Sequence, residues 1–294
     1  MCLKKVDSGD IIAHSCPSGE DNLRTVLGID AAWTSTQPSG VALAVEVPGG
    51  WHLRAAASSY GAFCALPEST TTRPGLIGGA SGALEAAHAL AGRPVDLVAV
   101  DMPLSRTPIV SRRASDDAVS RAYGGRWAGT HTPSAVRPGA VSDTLRAALE
   151  HIGYKLRTSG LVSHGLIEVY PHPALIEFAS AERRLPYKFG NRRSYWPDQP
   201  STVRSLNIFR EMKGIASLME NEISGVEAAM PELDYAKASG REWKAYEDML
   251  DAVVCAAVGI CVLEGRAVPF GDDQSAIWIP KPGSAKSGVE WPFL

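Results

Sequence analysis

Four aspartates in this sequence stand where a carboxylate could bind a metal ion. Asp30 and Asp101 each end a short apolar run, and Asp248 and Asp251 lie on one face of a helical pattern, where a long apolar run begins. An ionised carboxylate beside a packed element is costly unless it is paired or binds a cation. All-oxygen sites suit Mg²⁺ or Mn²⁺, which can activate water and stabilise the leaving oxygen of a phosphodiester. We therefore predict that the four aspartates meet at such a metal.

Each aspartate also has an ordinary structural interpretation. Strand-end aspartates often cap the turn that follows, and Asp248 and Asp251 could form the solvated edge of their helix. Asp251 fits this alternative least, because apolar residues flank it on both sides. Among the helix acids we therefore expect Asp251 to be the first metal ligand.

The elements that must position these residues follow from apolar patterning and turn signals. Five runs are typical of strands: 25–33, 40–47, 51–57, 95–101 and 165–170. Five segments are typical of helices: 81–91, 143–152, 173–181, 205–222 and 242–264. Short turns join the first three strands and a helix precedes the fourth, which predicts an α/β fold with three antiparallel strands followed by two parallel ones. Ligands bind beyond the carboxyl ends of strands in such sheets, where Asp30 and Asp101 stand.

Composition limits the classes of protein that fit this chain. Its 294 residues are 45% hydrophobic and 21% charged, with a net charge of −3, as in a globular protein with one large domain. We expect a loose arm at 1–23, a domain at 24–280 and a tail at 281–294. The five cysteines form no metal-ligand spacing, and their odd number argues against a disulfide framework, so we expect a cytoplasmic protein. No apolar run has the length of a signal or membrane-spanning segment.

Several short segments, in order, resemble one protein family. They are GIDAAW (28–33), SGVAL (39–43), VAVDMPLS (98–105), RRASD (112–116), HTPS (131–134), EVYPHPAL (168–175), PYK (186–188) and EDMLDAVVCA (247–256). Together they resemble the predicted nucleases of domain-of-unknown-function family 429. The resemblance, over about 24–280, implies a ribonuclease-H-like fold with a five-stranded sheet, flanking helices and two long insertions. It also implies catalytic and metal-binding roles for Asp30, Asp101, Asp248 and Asp251.

Three further residues are candidates for the same site. Glu168, inside the fifth strand, is either a further catalytic acid or a hydrogen-bonded residue of the sheet. His131 and His172 could orient water or a phosphate, although a histidine beside proline in a loop is often a local hydrogen-bonding residue.

Basic residues in the two insertions could bind the substrate. Arg112, Arg113 and Lys188 could contact phosphates, because guanidinium and ammonium groups suit phosphate oxygens. The insertions at 102–141 and 183–204 are expected near the aspartates. Basic and aromatic side chains at 183–196 could stack bases of a nucleic acid, or could form a contact between two copies of the chain.

Three functions remain open from the sequence. The leading one is a nuclease that depends on Mg²⁺ or Mn²⁺ and acts on DNA or RNA. The second is a phosphotransferase or ATPase of the actin-like type, against which stands the lack of a glycine-rich phosphate turn after Asp30. The third is a non-catalytic module that binds nucleic acid or protein on the same fold.

Overall fold

The computed structural model describes residues 23–34, 36–66 and 79–284. Within these ranges seven strands form one sheet: β1 (Thr25–Asp30), β2 (Gly40–Val47), β3 (Gly50–Ala57), β4 (Leu97–Asp101), β5 (Gly165–Val169), β6 (Ala267–Gly271) and β7 (Ala276–Pro280). The predicted arm, except for residue 23, and the predicted tail beyond residue 284 lie outside the described residues.

Helices connect and cover the strands. They are α1 (Tyr60–Cys64), α2 (Ala80–Ala91), α3 (Ala114–Tyr123), α4 (Ala140–His151), α5 (Pro171–Phe178), α6 (Arg192–Tyr195), α7 (Ser201–Glu220), α8 (Val226–Ala229) and α9 (Gly240–Leu263). Single 3₁₀ turns occur at Gly124–Arg126 and Phe189–Asn191. Within the part of the chain that the structure describes, none of the helices combines the length and the apolar character needed to cross a membrane.

The strands lie in the order β3-β2-β1-β4-β5-β7-β6. β1, β2 and β3 are antiparallel in series, while β4 and β5 run parallel to β1. The predicted α/β class and mixed sheet are therefore confirmed. The predicted number of strands was wrong, because β7 pairs parallel with β5 and β6 adds an antiparallel edge. An edge position tolerates Pro269, which weakens the strand signal of β6 in the sequence.

Apolar residues on both faces of the sheet form the core. Alternate residues of a strand point to opposite faces. Accordingly, Val26 of β1 packs in a cluster with the apolar residues of α9, whereas Leu27 and Ile29 pack in another with α2. The sheet is thus covered on both faces, which leaves its edges and its strand ends as places for polar chemistry.

Candidate functional site

Asp30 and Asp101 lie side by side at the carboxyl ends of neighbouring strands. β1 and β4 are parallel, and their register pairs Asp30 with Asp101. The predicted adjacency of these two strands is therefore confirmed. Both residues are partly buried, so two carboxylates share one end of the sheet.

Helix α9 brings Asp248 and Asp251 to the same end. Two glycines allow the close approach of the helix to the strands. A Cβ atom on Gly40 would lie 1.9 Å from the carbonyl oxygen of Asp248, and one on Gly28 would lie 2.2 Å from that of Ala252. Any larger residue would push α9 away. Asp248 and Asp251 are buried, and we call the four residues Asp30, Asp101, Asp248 and Asp251 the aspartate edge.

Three carboxyl groups of the aspartate edge, those of Asp30, Asp101 and Asp248, have raised pKa values. Burial, followed by the charges of Asp251 and Asp101, raises the pKa of Asp30 well above its ordinary value. Burial and then the charge of Asp251 raise the pKa of Asp101 to about 7. Burial also raises the pKa of Asp248. Surroundings that disfavour a negative charge in this way favour the binding of a proton or a cation.

Asp251 is the most enclosed member of the aspartate edge. The hydroxyl of Tyr187 donates a hydrogen bond of 2.7 Å to its Oδ1, and Lys188 Nζ binds its Oδ2. Lys188 also lies 3.3 Å from Glu247. Burial, the largest single effect, lowers the pKa of Lys188, but Asp251, Tyr187, Glu247 and Asp30 together raise it well above its usual value. Both oxygens of Asp251 thus have a partner.

Asp248 is only half satisfied by its own helix. Lys244, one turn earlier in α9, binds Asp248 Oδ1. The other oxygen, Oδ2, is buried and has no hydrogen-bond partner among the described residues while the carboxyl groups are ionised. A protonated Asp30 can donate a hydrogen bond to the Asp248 carboxylate. A buried carboxylate oxygen without a donor costs free energy, which a ligand or a cation at that position would recover.

A cavity of about 520 Å³ opens in front of three of the four aspartates. Asp30, Asp101 and Asp248 line it together with Lys244. The remaining walls come largely from the loops after β1 and α3, with Trp33, His131, Thr132, Ser134 and Arg137 among their residues. The predicted insertion 102–141 therefore contributes to this cavity, and the insertion 183–204 reaches the aspartate edge through Lys188.

The donor set fits Mg²⁺ or Mn²⁺ in its chemistry, but its atoms are not in a binding arrangement. Three carboxylates face the cavity, and one of their oxygens is buried without a partner. Hard divalent cations prefer such oxygen ligands. In the described ranges, however, no group of three or more His, Cys, Asp and Glu side chains is placed to hold a metal as the side chains stand. Binding would therefore require some of these carboxylates to turn.

Glu168 and Arg113 form a separate buried ion-pair group with Asp116. The guanidinium of Arg113 uses all five of its N–H donors, on both carboxylates and on the carbonyl oxygen of Leu104. Glu168 also accepts a hydrogen bond of 2.7 Å from the Leu104 N–H. We call Arg113, Asp116 and Glu168 the Arg113 cluster. Its geometry ties the loop after β4 to β5 and leaves Arg113 with no donor for a phosphate.

Burial dominates the electrostatics of Glu168. It raises the pKa of the carboxyl to about 7, although the charge and hydrogen bonds of Arg113 act in the opposite direction. Glu168 follows Ile167 in β5 and pairs with Val100, the residue before Asp101. The structure therefore places it beside the aspartate edge, with its oxygens bound by Arg113 and Leu104.

The other predicted substrate-binding residues are divided between the cavity and its surroundings. His131 is exposed and lines the cavity. Arg112 binds Asp117 at 2.5 Å and Thr132 at 3.2 Å, so it braces the loop that carries His131.

His172 is buried between two tyrosine rings. Its centroid lies 5.3 Å from that of Tyr170 and 5.6 Å from that of Tyr187. Burial, followed by the charges of Arg184 and Lys188, lowers its pKa well below the usual value. His172 therefore packs as a neutral ring behind the site.

Three contributors to the site escaped the sequence reasoning. Lys244 precedes Asp248 by four residues, and this helical spacing was a signal that could have revealed the pair. Tyr187 stands beside Lys188 in the PYK segment, but the sequence does not show that it turns towards Asp251. Arg137 reaches the cavity and lies 5.7 Å from the ring of Trp33, a contact between distant loops that no local pattern predicts.

Comparison with known proteins gives one match. A family model described as a protein of unknown function (DUF429) matches residues 7–276. No curated protein and no solved structure matches the chain.

Proposed function

We propose that this chain, which belongs to the DUF429 family, is a nuclease that hydrolyses phosphodiester bonds with Mg²⁺ or Mn²⁺. The description of the family states no function. One observation carries this proposal. Asp30, Asp101 and Asp248 reach one open cavity from two adjacent strands and a packed helix, and burial raises the pKa of each carboxyl group. The proposal includes the cytoplasmic location expected from the cysteines.

The order of the elements supports a ribonuclease-H-like fold as part of the proposal. Three antiparallel strands are followed by two strands parallel to the first, and the last long helix, α9, packs on β1, β2 and β4. The acids lie on the first strand, the fourth strand and that helix, as the resemblance implies. β6 and β7 extend this arrangement on the far side of β5.

Asp30, Asp101 and Asp248 would hold the metal in this proposal. When bound, Mg²⁺ or Mn²⁺ would supply an activated water and stabilise the leaving oxygen. Asp251 remains a predicted ligand, but it would have to exchange a contact with Tyr187 or Lys188. In the arrangement described, Asp251 positions Lys188, whose charge lowers the pKa of Asp30 and Asp101 against the effect of burial.

The loops around the cavity would hold the substrate backbone. Arg137 and Lys244 place positive charge on its wall, and Thr132 and Ser134 add hydroxyl groups. Such groups bind phosphate oxygens without reading the base. The exposed His131 on the same wall can donate to a phosphate or accept a proton from water.

A non-catalytic binding module is the second candidate, and the lysines favour it. Lys188 binds Asp251 and Lys244 binds Asp248, so two cations already belong to the protein. A site whose negative charge is partly compensated by its own lysines has less need of a metal. The same cavity could then hold a nucleic acid strand without cutting it.

Cleavage of labelled DNA and RNA, as single strands, duplexes and branched molecules, tests the proposal. We expect products with Mg²⁺ or Mn²⁺ and none with EDTA, and we expect Asp30→Asn and Asp101→Asn to abolish them. Asp234→Asn is the control, because Asp234 is exposed and pairs with Lys237 outside the site.

Each alternative outcome has its own meaning. Binding of the oligonucleotides without cleavage under any ion would support the binding module. Nucleotide hydrolysis without cleavage would support the phosphotransferase. Equal Mn²⁺-induced shifts in melting temperature for the wild type and Asp251→Asn would exclude Asp251 as a ligand, whereas loss of the shift in Asp248→Asn would identify Asp248 as one.

A further inference from the structure

A second cavity, of about 670 Å³, lies between the turn at Trp127 and the basic and aromatic insertion. Its walls include the rings of Trp127, Tyr195 and Trp196, the side chain of Arg184, and Glu211 from α7. The N–H of Arg184 donates a hydrogen bond of 2.9 Å to the carbonyl oxygen of Arg126, just before Trp127. The two sides of the cavity are therefore joined by the backbone.

Three buried polar atoms around this cavity have no partner within the described ranges. They are Glu211 Oε2, Arg184 Nε and the Tyr195 hydroxyl. Glu211 is only 5% exposed, and burial raises its pKa to about 7. Buried polar groups in proteins are almost always hydrogen-bonded, so a carboxylate, a guanidinium nitrogen and a hydroxyl left unpaired around one cavity are groups that a bound ligand can satisfy once their side chains turn towards it. That ligand must offer both donors and acceptors.

The shape of the walls indicates that the ligand is flat. Trp127 is 63% exposed, an unusual state for the largest side chain, and its backbone has a left-handed φ of 61°. The guanidinium of Arg183 lies 4.4 Å above its ring. Tyr195 and Trp196 meet edge to face at 5.6 Å on the other side. Aromatic faces and guanidinium planes of this kind stack on nucleobases.

The chain links this cavity to the proposed active site. Residues 183–186 line the cavity, and the next two residues, Tyr187 and Lys188, bind Asp251. Tyr170 lines a small recess together with Asp101. A strand whose backbone lies at the aspartate edge can therefore place a neighbouring base here.

We propose that this cavity holds one unpaired guanine of the strand bound at the aspartate edge. This inference rests on the proposed function. An ionised carboxylate accepts two adjacent donors, and guanine presents two, N1–H and the N2 amino group, to Glu211. Adenine, cytosine and thymine have no two adjacent donors on the same edge, so each would place an acceptor against one oxygen of Glu211. An acceptor elsewhere on the ring can receive the Arg184 N–H.

Fluorescence anisotropy in EDTA tests this inference without any need for cleavage. The probes are a labelled thymidine oligonucleotide with one central guanine, the same strand with adenine or cytosine there, and guanosine monophosphate. We expect the guanine strand to bind about tenfold more tightly than the others. Glu211→Gln should remove this preference, and Trp127→Ala should weaken binding of every strand by roughly fivefold or more. Tyr235→Ala is the control, because this exposed ring does not line the cavity and lies tilted at 5.8 Å from Phe209.

The variants keep the test interpretable. Glu211→Gln retains the shape of the side chain and removes a buried unpaired charge, and Trp127 is largely exposed. Neither Glu211→Gln nor Trp127→Ala should therefore lower the melting temperature by more than Tyr235→Ala does. Equal binding of the three strands, or an unchanged preference in Glu211→Gln, would overturn the inference. Tight binding of guanosine monophosphate with no binding of the strands would also overturn it, in favour of a free nucleotide. Cleavage without a preference for guanine in binding would contradict this inference and still support the nuclease. Preferential binding of guanine without cleavage would support this inference and contradict the nuclease.

Discussion

Two groups of buried acids lie next to each other at one end of this sheet, and they are compensated in different ways. In the Arg113 cluster, one guanidinium directs all five donors at two carboxylates and a carbonyl. At the aspartate edge, four carboxylates share two lysines, and an oxygen of Asp248 has no partner in the described residues.

The difference separates a structural role from a chemical one. A planar guanidinium with every donor used fixes the loop after β4 in one position. Three carboxylates that face a cavity with raised pKa values hold unfavourable charge that a ligand can relieve. Removing a member of the first group should therefore damage the fold, and removing a member of the second should damage function while sparing the fold.

The largest expected effect is on stability, from Arg113→Met. The substitution leaves Asp116 and Glu168, both buried, without their cation, and breaking a buried ion pair in this way costs roughly 3–5 kcal/mol. Arg112→Met is the matched control. Its partner Asp117 is 60% exposed, so this substitution leaves no buried carboxylate without a cation and should cost clearly less than Arg113→Met. Urea unfolding of both variants gives the free energies. Similar losses in the two would mean that the Arg113 cluster does not hold the fold together.

The next effect concerns pH and the aspartate edge. The pKa of Asp101 is about 7 in the folded protein, above the value of about 4 in an unfolded chain. Between these values the folded state keeps a proton that the unfolded state has lost, so the metal-free protein should lose stability as the pH rises from about 4 to 7 and then level off. Asp101→Asn lacks this titration. We expect the wild type to lose roughly 2–4 kcal/mol more than the variant over that range.

Urea unfolding in EDTA at a series of pH values measures this difference. Subtracting the variant cancels the contribution of Glu211, whose pKa is also raised to about 7 by burial alone. The difference reports Asp101 together with the part of the pKa shift of Asp30 that the charge of Asp101 causes. Parallel curves for the two proteins would show that Asp101 carries no unfavourable charge. Mn²⁺ added at high pH should restore stability to the wild type and less to Asp101→Asn.

Much of the fold could be predicted because its signals are local. The apolar runs that form β1 and β4 are buried on both faces, and their turns and intervening helix fix their directions. Helix α3 was missed inside the predicted loop 102–141, because only four of its residues, Ser115, Asp116, Val119 and Tyr123, are buried and the apolar period is weak. Short polar helices of this kind form through tertiary contacts that a single sequence does not show.

In the candidate site, too, local signals could be predicted from the sequence and contacts between distant residues could not. The neighbouring positions of Asp30 and Asp101 follow from two parallel strands, so the sequence sufficed. The partner of Arg113 did not follow, because Arg113 and Glu168 lie 55 residues apart and only the path of the loop brings them together. A basic residue in such a loop therefore looks like a phosphate ligand until its buried partner is known.

Lys244→Met should have the smallest effect on stability, and it is the sharpest test of the comparison between the Arg113 cluster and the aspartate edge. The side chain of Lys244 is 54% exposed and that of Asp248 only 1%, so this is not a surface ion pair. When the lysine is removed, the buried carboxyl group can take up a proton in its place, because burial already raises its pKa. The lysine occupies Asp248 Oδ1 and lowers the pKa of Asp101 against the effect of burial. Its removal should therefore leave the fold nearly unchanged, raise the pH at which the metal-free protein loses stability, and increase the Mn²⁺-induced shift in melting temperature.

Lys188→Met is the contrasting variant, because it leaves the fully buried Asp251 without its cation and should destabilise the protein strongly. A Mn²⁺ shift that stays the same or shrinks in Lys244→Met would mean that this lysine does not compete with an ion, and Asp248 would then belong with the structural acids.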